Sequence, residues 1–118
     1  MGREQEYAVT SEELLLKAGQ HLAHGDLLQG SEKGWGAAAQ MVKAVAERRG
    51  WPHNGHRQPF ELVRRLVEET GDQGIRELFL TANALHTNSY EVWLTREDGE
   101  LGLDRVRQLL ERLRPLLS

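Results

Sequence analysis

Glycine placement constrains this chain more than any other feature. Gly25, Gly50, Gly71 and Gly99 each follow a stretch with helical periodicity. A residue without Cβ takes the left-handed turn that ends a helix at least cost. Between these stops the apolar spacing predicts five helices. The first covers residues 10–24, with Thr10 or Ser11 as cap, Glu13 completing a capping box, and Leu14, Leu15, Ala18 and Leu22 as its stripe. Residues 1–9 form an N-terminal extension. The second helix spans residues 26–49, the third 59–70, the fourth 74–96 and the fifth 103–117. Residues 50–59, GWPHNGHRQP, read as a loop, because Pro52 and Pro59 break helices and Asn54-Gly55 is a turn dipeptide. No period-two run rich in β-branched residues marks a strand. The expected fold is all-α: an antiparallel up-and-down bundle of four long helices and one shorter helix, in a single domain over residues 1–118.

Gly34 and Gly36 lie inside the second helix, where each costs about 1 kcal/mol relative to alanine. With Ala37, Ala38 and Ala39 they make a small-residue surface that another helix can approach closely. Helices two and four are apolar around much of their circumference. Either they form the centre of one bundle, or one of them also packs against a second copy of the chain.

At 118 residues with 39% hydrophobic and 28% charged side chains, the chain has room for one core inside a solvated surface. Without cysteine there is no disulfide, thiolate metal site or cysteine nucleophile. No apolar run approaches the roughly 18 residues that span a bilayer. The start, MGREQEYAVTSEELLL, lacks the features of an export signal. A cytoplasmic protein without membrane contact is expected. Fifteen Lys and Arg against 18 Asp and Glu leave a net charge of −3, so a case for nucleic acid must rest on a local patch.

One such patch exists. Residues 48–57 hold three arginines (Arg48, Arg49, Arg57), two histidines (His53, His56) and Trp51, with no acid among them. Guanidinium groups at this density suit phosphate oxygens, and the indole suits stacking on a base. The plainer reading makes Arg48 and Arg49 end-of-helix charges that the helix dipole favours, and Trp51 a plug closing the bundle. His53 and His56 form an HxxH pair, and His21 and His24 a second pair at helical spacing. Neither has the carboxylates or thiolates beside it that a zinc site uses, so no metal and no cofactor are expected.

The second constellation lies on helix four: Asn83, His86, Asn88 and Tyr90. His86 shares a face with Ala82, Ser89 and Trp93, pointing toward the bundle or an interface. A polar row at interior positions is costly unless satisfied, so it is either a structural network or the lining of a pocket. No general acid–base pair, phosphate loop or hydrolase triad stands out. The two constellations together are expected to line one accessible recess.

The segment SEKGWGAAAQMVKAVAERRGWPHNGHR followed by LFLTANALHTNSYE resembles the small PaREP-type helical proteins, a branch of the HEPN superfamily, over roughly residues 10–95. Its most specific elements are Ser31-Glu32-Lys33 with Trp35 and the alanine run, Trp51-x-His53-x-x-His56, and Leu85-His86-x-Asn88-x-Tyr90-Glu91. The resemblance implies a bundle of four long helices plus a shorter one, usually homodimeric. Many HEPN proteins are metal-independent ribonucleases. Their hallmark is an Arg followed after four to six residues by His, near the start of the last long bundle helix. Other members bind nucleotides or partner small nucleotidyltransferases.

Here the hallmark spacing occurs as Arg48 to His53 and Arg49 to His56, at the end of helix two and in its loop. At His86 the nearest upstream arginine is Arg76, with nine residues between. The expectation is therefore a non-catalytic HEPN-like homodimer. Arg49, Trp51, His53, His56, Arg57, Asn83, His86, Asn88 and Tyr90 would serve binding of a nucleotide, RNA or other nucleic acid, or a protein such as a partner nucleotidyltransferase. The alternative is a metal-independent endoribonuclease, with Arg48 or Arg49 clamping phosphate and His53, His56 or His86 as acid–base.

Overall fold

A computed structural model describes residues 2–53, 58–91 and 94–118, and the side chains of all of these except 58 and 89–91. The described residues form five α-helices: α1 (Arg3–Ala23), α2 (Leu27–Arg49), α3 (Gln58–Thr70), α4 (Gln73–Glu91) and α5 (Arg96–Leu113), followed by a 3-10 turn over Arg114–Leu117. No strand occurs among them. The all-α bundle inferred from periodicity is the fold.

Three of the four glycine stops hold. Gly25, Gly50 and Gly71 have φ of 81°, 71° and 72°, in the left-handed region where a Cβ is strained. Gly99 does not end a helix. It sits in the first turn of α5, which begins seven residues before the expected start because Thr95 caps it in a reciprocal box with Asp98. A Cβ on Gly99 would come 2.6 Å from the Leu27 side chain. This glycine is there for close approach.

The N-terminal boundary also moves. Residues 3–9, expected as an extension, are the first turns of α1, and neither Thr10 nor Ser11 is its cap. Ser11 is buried mid-helix, where its hydroxyl donates to the Ala37 carbonyl of α2 at 2.6 Å. Tyr7 and Ala8 pack on the core, and this tertiary contact outweighs the local capping preference of Thr10-Ser11.

α2 is the central element. Arg3 and Glu4 meet Glu47 and Arg48, while Leu22 meets Gly30, so α1 and α2 run antiparallel. Asn88 reaches Ser31, and Phe79 packs on Trp35, making α4 antiparallel to α2 as well. The small-residue surface of α2 is filled from within the chain. Leu103 and Leu85 close on Gly34, Leu14 closes on Gly36, and Ala37 and Ala38 are fully buried. The mid-helix glycines thus let three leucines seat against the α2 backbone. The apolar circumference of α2 is the centre of a single bundle and does not by itself require a second copy.

Candidate functional site

At the C-terminal end of α2 the chain turns at Gly50, and Trp51 donates its backbone N–H to the Ala46 carbonyl. This turn swings His53 back alongside α2. His53 donates Nε2–H to Glu47 Oε2 at 2.7 Å, and only 9% of its side chain is exposed. The Tyr7 ring meets the imidazole edge-on, with centroids 5.4 Å apart. Arg3 closes the cluster, 3.8 Å from the far oxygen of Glu47 and 3.0 Å from the Tyr7 hydroxyl. The hydrogen bond from His53, reinforced by the charge of Arg3, holds the Glu47 carboxyl below its ordinary range. Arg3, Glu47, Gly50, Trp51, Pro52 and His53 line a recess of about 330 Å³.

Arg48 and Arg49, the described arginines of this patch, are engaged. Arg49 makes a bidentate pair with Glu69 of α3, at 2.7 and 2.6 Å, and gives an N–H of its other terminal nitrogen to the Leu116 carbonyl at 2.9 Å. It joins α2, α3 and the C-terminal turn, and its hydrogen bonds lower the Glu69 pKa. Arg48 pairs with Glu4 at 3.6 Å. Trp51 is half-buried against the core, and the Arg65 guanidinium lies over its ring, 4.1 Å from the centroid, on the surface a base would need. The run from 48 to 57 contains no acid, yet the fold brings Glu4, Glu47 and Glu69 to it.

The α4 constellation resolves into a network and a stack. Asn88 is fully buried; its amide donates to Ser31 Oγ at 2.9 Å, and its carbonyl oxygen accepts the Leu94 N–H at 2.9 Å. It thereby secures the chain leaving α4 to the start of α2. Among the described residues no buried side-chain polar atom lacks a partner. His86 stacks on Trp35, with centroids 4.9 Å apart at 26°. Asn83 is half-buried one turn earlier, its backbone carbonyl accepting from the Thr87 hydroxyl. His56, Arg57 and the side chain of Tyr90 lie outside the described residues.

The described residues of the two constellations do not share a recess. Asn88 is bonded to Ser31 and His53 to Glu47, 16 residues apart on one helix, which at 1.5 Å per residue separates them by about 24 Å. The missing step is geometric. Both groups attach to α2, but near its opposite ends.

Sequence reasoning missed Arg3, Tyr7, Glu47, Arg65 and Glu69. Glu47 precedes the arginine pair directly and Arg3-x-x-x-Tyr7 has helical spacing, so two of these signals were present. Arg65 and Glu69 reach the site only through the packing of α3.

These elements define a small all-α protein built around a central, glycine-bearing helix. Its family is shown by sequence: the profile of the Archaeal PaREP1/PaREP8 family matches residues 6–110, and the chain belongs to that family. No curated protein matches the chain. Among solved structures, a crystal structure of a protein from Sulfolobus solfataricus is similar with a TM-score of 0.82 and 21% identity, over 92% of this chain and 97% of that one. That likeness is one of fold. No helix among the described residues is long and apolar enough to cross a membrane.

Proposed function

We propose that this PaREP-family chain is a HEPN-like, non-catalytic binding protein that works as a homodimer and takes a protein, rather than nucleic acid, as its further partner. The observation that carries this reading is the internal pairing of its cations. Arg48, Arg49 and His53 each face a carboxylate of the same chain, which disfavours both a phosphate clamp and the ribonuclease alternative.

The homodimer is best accommodated by the trough between α1 and α5. Two adjoining cavities of about 460 and 200 Å³ share Gly19, Ala23 and Arg107, and Leu16 stands at the edge with 65% of its surface exposed. Antiparallel pairing of α1 about Leu15 and Leu16 brings the exposed Glu13 of each copy opposite the exposed Lys17 of the other, a self-complementary contact. The resemblance to HEPN proteins makes a small nucleotidyltransferase the first protein partner to test.

Sedimentation velocity is the direct experiment. The expected result is a dimer that Leu16→Glu converts to a folded monomer, with no anisotropy change on labelled RNA at low salt. A monomeric wild-type chain, or salt-sensitive RNA binding lost in Arg49→Ala, would overturn the reading.

A further inference from the structure

A second groove lies between α3 and α4, lined by none of the residues of the His53 recess or of the trough between α1 and α5. Its floor is Val63 and Phe79, both buried, and its walls are Phe60 and Leu80, which are 41% and 54% exposed. These are two of the six large apolar side chains left exposed among the described residues, and both face the same cavity of about 320 Å³. Phe60 meets Phe79 edge-to-face at 5.3 Å, which gives the apolar wall a fixed shape. Such a volume is at the small end of ligand pockets.

The rim carries two cations of different status. Arg64 is neutralised on both sides by Glu61 and Glu68. Arg76 makes no ion pair or side-chain hydrogen bond with the described residues. The other acids around it are turned elsewhere: Glu69 binds Arg49, Asp72 binds Arg112 and the Gly74 N–H, and Glu77 lines the cavity between α4 and α5. A guanidinium without a carboxylate, at the edge of a preformed aromatic and aliphatic groove, is half of a recognition pair.

We propose that this groove binds a small amphiphilic monoanion, an aromatic or short-chain carboxylate. Its apolar body lies on Phe60, Val63, Phe79 and Leu80, and its carboxylate lies on Arg76. The site does not depend on the homodimer, whose trough is formed by other helices.

The test uses 1-naphthoate and its neutral analogue 1-naphthalenemethanol, titrated into methyl-labelled protein and followed by NMR. Saturable shifts are expected at Val63 and Leu80, with naphthoate binding about tenfold tighter than the alcohol. In Arg76→Gln, shown folded by circular dichroism, that ratio falls to about one while the alcohol binds unchanged. Leu80→Asp, at an exposed position, weakens both ligands. Shifts elsewhere, equal affinities in wild type, or a ratio that survives Arg76→Gln would overturn the proposal. So would a loss of oligomer mass in Leu80→Asp, because the groove would then be covered by another copy.

Discussion

The two ends of α2 solve the same problem, polar side chains beside a hydrophobic core, by different physics. Near its start, Ser31 and Asn88 are buried and uncharged, and every hydrogen bond is made inside the chain. Near its end, Glu47, Arg48, Arg49 and His53 are charged or chargeable, range from the nearly buried His53 to the exposed Arg48, and are paired with one another or with α1 and α3. A buried neutral network is expensive to break because water cannot replace the lost partner. Exposed ion pairs are cheap to break, and respond to pH and salt. The difference separates a structural joint from a region whose state the solvent can set.

The contrast can be broken most directly at Asn88. Asn88→Ala leaves the Leu94 N–H and the Ser31 hydroxyl without their partner, and a loss of about 2–3 kcal/mol in urea-unfolding stability is expected. If the variant unfolds like wild type, water enters the joint and the contrast fails. At the other end, Arg49→Ala removes a bidentate pair and a bond to the C-terminal turn, for an expected loss of about 1–2 kcal/mol in the same measurement. Arg49→Lys recovers only part of this, because an ammonium cannot make the parallel pair.

Acid sharpens the comparison. Glu47 and Glu69 have carboxyl pKa values lowered in the folded state, by hydrogen bonds from His53 and Arg49 respectively. A depressed carboxyl stabilises the fold at pH above its unfolded value, and that stability is lost as pH falls through the folded value. The melting temperature should therefore drop on acidification through and below about pH 4, and Glu47→Gln should flatten part of that dependence. An identical acid profile in Glu47→Gln would remove Glu47 from the account. The smallest effect belongs to Arg48→Ala. Its 3.6 Å pair with Glu4 is exposed, and a change below about 0.5 kcal/mol is expected from thermal denaturation.

How much of this was legible beforehand follows the range of each interaction. Helical stops at Gly25, Gly50 and Gly71 depend on one residue's backbone freedom and were readable. The early start of α5 was also locally encoded, in Thr95 and Asp98, but the glycine signal at Gly99 masked it. Asn88 was legible as a member of the helix-four polar group, but neither its full burial nor its partner on α2 was, because the face read as interior ran through His86 and Ser89. The arginine–histidine patch looked open because residues 48–57 themselves include no acid. Its acids come from Glu4 on α1 and Glu69 on α3, as well as from Glu47 just before it.

The order of residues alone determined that this chain is a set of amphipathic helices with stops between them, because periodicity and backbone freedom act over a few residues. Tertiary structure decided which polar groups meet. It filled the glycine sockets of α2 with leucines from three other helices, attached Asn88 and His53 to points on α2 about 24 Å apart, and left Arg76 without an acid among the described residues. Those outcomes depend on distances between residues far apart in the chain, which no local pattern records.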